Sequence, residues 1–207
     1  MSYHNPVLLH DSVDALVQNP SGTYVDVTFG GGGHSRAILE KLGPEGRLIA
    51  FDQDADSQAN LIDDARFQFV PSNFKNLTRF LQYYNVYPVD GILADLGISS
   101  HQIDTPERGF SYSKEGALDM RMNAQSGMSA RDVVNDYDEQ QLSRVFYNYG
   151  ELTDGRRLAR AIVKARAEQP IETTIQLAEV LKPCLPKGKE NKFLSKTLQA
   201  RRIEANK

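Results

Sequence analysis

YVDVTFGGGGHS, residues 24–35, decides the fold. An apolar run with β-branched residues ends in four consecutive glycines, and a helix-like stretch follows at once. Tyr24–Phe29 predicts a strand. SRAILEKLG, residues 35–43, has Ala37, Ile38 and Leu42 at helical spacing and stops at Gly43-Pro44, which predicts a helix. The loop between them has almost no side chains, so it offers backbone N–H groups at a helix N-terminus, where negative charge is favoured.

Outward from this stretch the same alternation continues. RLIAFD (47–52), FQFVP (67–71) and VDGILADL (89–96) read as strands. DADSQANLI (54–62) and NFKNLTRFLQYY (73–84) read as helices, and PVLLHDSVDALV (6–17) as an entry helix. Strands and helices alternating at this pace predict the α/β class, a parallel sheet with right-handed crossovers. Residues 1–100 are therefore expected to form an α/β core. Residues 101–127 show no periodicity and read as a long loop, a kind of segment that tends to be functional. A helical domain is expected over 128–185, with starts marked by Ser129, Asp138, Thr153, and Thr173 or Thr174. Residues 186–207 are expected to begin a return to the core. A fourth parallel strand with nothing after it is an open edge. Either the helical segment covers that edge or further strands follow Lys207, and the second expectation is preferred.

Composition narrows the function classes. The single cysteine, Cys184, excludes a disulfide framework and suggests a reducing compartment. His4, His10, His34 and His101 make no HExxH pattern and have no thiolates to complete a zinc cage, so no metal site is expected. The N-terminus lacks the pattern of a signal peptide, and no apolar run is long enough to span a bilayer. A cytoplasmic protein with no membrane partner is expected; the oligomeric state stays open. Net charge is −3 but unevenly spread: residues 1–150 hold 11 Lys/Arg and 20 Asp/Glu, whereas residues 151–207 hold 13 and 7. The basic stretch is either a patch for a polyanion or a set of solvated helix faces.

The glycines exclude two ligands. A P-loop needs GxxxxGK[ST], and here His34-Ser35-Arg36 follows with no lysine. The dinucleotide fingerprint needs a third glycine, but the sixth position is Ser35 counted from Gly30 and Arg36 counted from Gly31. An acid, Asp52, still ends the next strand about 20 residues on, where such folds bind ribose hydroxyls. S-adenosylmethionine fits these terms. Its carboxylate suits backbone N–H groups, its ribose diol suits an acid, and its ammonium and sulfonium suit nearby acids. Asp26, Asp52 and Asp95 lie in strands or at their ends, and Phe74 follows the third strand where it can stack on an adenine. Structural alternatives stay open at each position: a tight glycine turn, Asp52 as a helix cap, Asp95 as a turn former, Phe74 in the core, and His34 orienting the loop.

The segments HNPVLL, VDVTFGGGGHS, LIAFDQD, DGILADLGISS, ERGFSY, LDMRM, RRLARAIVKAR and LQARRIEAN, in this order, resemble the RsmH/MraW methyltransferase family across essentially the whole chain. The resemblance implies a class I, Rossmann-like methyltransferase core with a helical domain inserted after the fourth strand. It implies methyl transfer from S-adenosyl-L-methionine to N4 of a cytidine in 16S ribosomal RNA near the decoding site, with the rRNA or the small ribosomal subunit as partner. It implies cofactor contacts from Gly32, Gly33 and His34, from Asp52, from Phe74, and from Asp95 with Gln102 a few residues on. The family pattern continues into a strand and a Ser-[Phe/Tyr]-His-Ser-Leu-Glu-Asp motif not found in this sequence, and it tends to have an apolar residue at Arg201 and a β-branched one at Ala205.

Cytosine N4 is a weak nucleophile, so an acceptor must turn its lone pair toward the methyl group. Many amino-methyltransferases use an Asn/Asp-Pro-Pro-aromatic loop, where this chain has Asp95-Leu96-Gly97-Ile98; the catalytic residue stays open. The target base is expected flipped or single-stranded. Arg156, Arg157, Arg160, Lys164 and Arg166 are the expected phosphate contacts. Two other classes remain: a truncated cofactor- or RNA-binding module without turnover, and a nicotinamide-dependent oxidoreductase, against which the missing glycine argues.

Overall fold

The computed structural model describes residues 6–125 and 127–207. His4 and Asn5 of the HNPVLL segment lie outside the described residues. The chain forms two compact units that part between Ser99 and Ser100.

In the first unit, α1 (Leu9–Leu16) precedes β1 (Thr23–Asp26), α2 (Gly33–Lys41), β2 (Arg47–Phe51), β3 (Phe67–Val70), α3 (Leu77–Tyr83) and β4 (Gly91–Leu93). The strands form a parallel sheet in the order β3-β2-β1-β4. Side chains alternate across it. Tyr24, Leu48 and Leu93 join Ile38 and Leu39 of α2 on one face. Val25, Ile49, Phe51 and Val70 join Leu81 of α3 on the other. A sheet with two buried faces needs near-continuous apolar strands, which is why the strands show runs rather than polar alternation. The α/β expectation holds. The segment 54–62 differs: it is a 3-10 helix, Ala55–Asn60. The Asp54 side chain accepts from Asp56 N–H and Ser57 Oγ donates to the Asp54 carbonyl, so short polar side chains tighten the turn where an α-helix was expected.

The second unit is helical. The stretch 101–127 is not wholly irregular: α4 (Ser100–Asp104) and a 3-10 turn at Pro106–Arg108 open it. Its LDMRM part is held from several sides. Arg108 donates to the carbonyls of Arg121 and Met122, Arg121 pairs with Asp119, and Asn206 takes the Met122 N–H at 2.6 Å and donates to the Met120 carbonyl at 2.7 Å. α5 (Ala130–Asp136), α6 (Glu139–Gly150), α7 (Gly155–Arg166), α8 (Thr174–Leu181) and α9 (Glu190–Ala205) follow. Ser129, Asp138 and Thr173 cap α5, α6 and α8 through capping boxes, as their positions predict. Thr153 does not cap α7, whose N-cap is Asp154 with no side-chain cap bond. α6 ends in a left-handed residue, Glu151, and the chain re-enters helix through buried Leu152, which shifts the start by one residue. α9, the tail, packs along α6 and against α5.

Candidate functional site

Four strand ends meet at the carboxyl edge of the first sheet. In β3-β2-β1-β4 the connections reverse direction between β1 and β4, and such switch points open the crevice where ligands bind in open α/β folds.

The glycine loop leaves β1 and enters α2 at Gly33, two residues earlier than the sequence predicts. Gly32 makes this possible: it sits at φ 76, and a Cβ there would lie 2.7 Å from Arg36 Nη1 and 3.0 Å from the Phe29 ring. Gly33 is constrained by space instead, since a Cβ would lie 2.4 Å from Pro6 Cγ. The first turn of α2 leaves its N–H groups without helical partners. The loop is also tied from outside. Arg36 donates to the carbonyls of Gly31 and Asn60, and Asn60 donates to the Gly30 carbonyl. Sequence reading missed Arg36 and Asn60; an arginine inside a helical repeat carries no signal that it clamps a loop.

Asp52, at the end of β2, is not a helix cap. That role belongs to Asp54. Asp52 Oδ2 accepts the Gly30 N–H at 2.7 Å and Oδ1 accepts the Asp54 N–H at 2.9 Å, so its carboxylate joins two strand ends and retains lone pairs for a ligand. Burial pushes its pKa above the ordinary value; the two backbone N–H groups oppose the rise, and the charges of Asp54 and Asp26 add to it. Asp26, at the end of β1, is fully buried. Its carboxylate takes Ser35 Oγ at 2.7 Å and the N–H and Oγ1 of Thr28. Burial raises its pKa as well, against those hydrogen bonds and the field of His34. His34 is buried in the first turn of α2.

β3 leads to Asn73, whose side chain caps a short 3-10 turn and donates to Gln53 Oε1 at 2.9 Å, joining the ends of β2 and β3. Phe74 follows and is 45% exposed, so it is no core residue. β4 leads to exposed Asp95, whose N–H is held at 2.8 Å by Thr28 Oγ1. The first unit thus brings Gly32, Gly33, His34, Asp52, Phe74 and Asp95 to one edge. Gln102 lies in α4 of the second unit, where it is buried.

The edge offers helix N–H groups for a carboxylate, a half-buried acid for a diol, an exposed aromatic ring, and carboxylates held above their ordinary pKa by burial. The donor set fits a ligand with a carboxylate at one point and positive charge at another. Sheet order, glycine turn and strand-end acid together define a Rossmann-like α/β fold with a ligand crevice at the carboxyl edge of its sheet. The family model of the MraW methylase family matches residues 1–207, and the chain belongs to that family. Ribosomal RNA small subunit methyltransferase H of Flavobacterium johnsoniae is 56% identical over 206 residues, covering 100% of this chain and 68% of the relative. The protein of the same name from Bacteroides fragilis strain YCH46 is 56% identical over 205 residues, covering 99% and 67%. The one from Porphyromonas gingivalis is 52% identical over 207 residues, again covering 99% and 67%. Among the described residues, no helix is long and apolar enough to cross a membrane.

Proposed function

We propose that this chain takes part in methyl transfer from S-adenosyl-L-methionine to N4 of a cytidine in small-subunit (16S) ribosomal RNA. The observation that carries the cofactor reading is Asp52: a strand-end carboxylate, bonded to the glycine loop and held above its ordinary pKa by burial, with lone pairs to spare. The relatives, small-subunit ribosomal RNA methyltransferases by name, support the ribosomal RNA substrate, and the family resemblance supplies the cytidine N4 position.

The cofactor supplies a methyl group activated by its sulfonium. The protein's part is alignment, since an in-line displacement gains chiefly from fixed geometry. The first turn of α2, at Gly33 and His34, receives the amino-acid carboxylate, with Gly32 letting the backbone come close. Asp52 accepts from the ribose hydroxyls. Phe74 stacks on the adenine. Asp26 and Asp95 provide negative potential toward the ammonium and sulfonium, and the rigid Asp26–Ser35–Thr28 cluster keeps the loop from reorganising. The target cytidine is presented outside a base-paired stack.

Calorimetric titration of S-adenosylmethionine into the parent and Asp52→Ala tests this reading. The parent binds; Asp52→Ala loses about 100-fold or more, because hydrogen bonds to a charged acceptor contribute about 1.5–3 kcal/mol each. Binding without methylation of small-subunit RNA would leave a binding module. A parent that is folded but binds NADH in place of S-adenosylmethionine would overturn the reading.

A further inference from the structure

The cations of α7 fall into two groups. Arg166 donates to the Val134 carbonyl at 2.5 Å; Arg157 donates to the Cys184 carbonyl and approaches Asp154 at 3.6 Å. These two hold the helix in the second unit. Arg156, Arg160 and Lys164 recur at every fourth residue on its exposed face. Arg160 reaches Glu139 only at 3.4 Å, and among the described residues neither Arg156 nor Lys164 has a carboxylate within ion-pair distance. Eight residues of helix spread these three charges over about 12 Å.

A second set of cations stands on the segment after α8. Lys182, Lys187 and Lys189 are exposed. Pro183 and Pro186 restrict this segment, Gly188 turns it at φ 77, and Leu185 is buried beneath it. The Arg157–Cys184 bond fastens it to α7. At the end of this segment Glu190 is held below its ordinary pKa chiefly by its own N–H and that of Gly188, with the field of Lys182 adding least.

We propose that Arg156, Arg160, Lys164, Lys182, Lys187 and Lys189 form a two-limbed cradle for the phosphate backbone of the RNA substrate. This rests on the ribosomal RNA reading above. A lipid surface fits less well: among the described residues, none of the large exposed apolar side chains lies in residues 151–207, and a membrane-surface site needs an apolar anchor beside its charges. Arg166 and Arg157, both expected from the sequence to meet phosphate, serve here to build the cradle.

The test is the salt dependence of binding to a fluorescein-labelled single-stranded RNA. The parent is compared with Arg156→Gln/Arg160→Gln/Lys164→Gln and with Lys182→Gln/Lys187→Gln/Lys189→Gln. Each triple variant lowers the slope of log K against log salt by about 2 and weakens binding about 10-fold or more near 0.1 M salt, since each lost phosphate contact removes about 0.7 of slope on a single strand. Calorimetric affinity for S-adenosylmethionine stays unchanged in both, which reports an intact first unit. Circular dichroism matching the parent excludes unfolding of the helical unit. Unchanged slopes in both folded triples overturn the cradle, as does a parent that binds the cofactor but no RNA. Phosphatidylserine vesicles that hold the parent more tightly than RNA, and lose it in both triples, overturn it in favour of a membrane. A parent that binds RNA through these residues but not the cofactor keeps the cradle and removes the cofactor reading.

Discussion

The two units bury charge in opposite ways. In the first, Asp26 is wholly inaccessible, yet three hydrogen bonds from Ser35 and Thr28 meet its carboxylate and a strand end fixes its place. In the second, Arg201 is 3% exposed on α9 and its Nε donates to the Thr197 carbonyl of its own helix. Burial lowers its pKa to about 9, and among the described residues no acid opposes the shift. A buried charge that the scaffold solvates is poised for a ligand of opposite sign. One that the scaffold meets with a single carbonyl and no opposite charge is a cost to stability.

Arg201→Leu breaks the comparison most directly. It raises stability by about 1–3 kcal/mol, measured by urea denaturation, because it removes a buried charge that no carboxylate among the described residues pairs. Affinity for S-adenosylmethionine does not change. The pH dependence has a defined sign. The folded pKa, about 9, lies below the free value of 12.5, so the penalty is complete below about 9 and fades as pH rises toward 12.5. The gain from Arg201→Leu therefore shrinks in alkali; a gain that grows with pH would contradict the assignment.

Asp26→Asn is a smaller case in stability and differs in its effect on the ligand. Asn Oδ1 can keep the Thr28 bonds and Nδ2 can donate to Ser35 Oγ, so the apo protein gains about 0.5–1 kcal/mol from losing a desolvated charge, read as a higher Tm. Affinity for the cationic cofactor falls about 10-fold, read by calorimetry. If Asp26→Asn left affinity untouched, Asp26 would be as purely structural as Arg201.

The pH profile sharpens the same point. Asp26 and Asp52 both have folded pKa values above 3.8, so apo stability gains from their protonation below that value and loses the gain as pH rises through the raised pKa. The cationic ligand favours the ionised forms, so its affinity drops as pH is lowered through those raised values. The most local effect concerns caps. Thr173→Ala costs about 1 kcal/mol, whereas Thr153→Ala, which caps nothing, stays within about 0.5 kcal/mol.

Much of this was legible because the signals are local. Ser129, Asp138 and Thr173 cap helices by bonding three residues on, within reach of a sequence pattern. Thr153 failed because the left-handed Glu151 and buried Leu152 set the entry to α7 instead. At the carboxyl edge of the sheet, the positions of Asp52 and of the glycine turn were legible from spacing. Arg36 and Asn60 were not, since their partners are carbonyls in a loop that only folding brings near. For α7 the sequence could count cations but could not separate Arg157 and Arg166, spent on carbonyls, from Arg156, Arg160 and Lys164.

The order of strands and helices, the glycine turn and the strand-end acids were determined by the sequence alone, because hydrophobic period and backbone permissiveness act over a few residues. The reversal of direction between β1 and β4, the burial that lifts Asp26 and Asp52, and the stranding of Arg201 were decided only by tertiary structure. Desolvation depends on what packs around a group, and no local pattern records its neighbours.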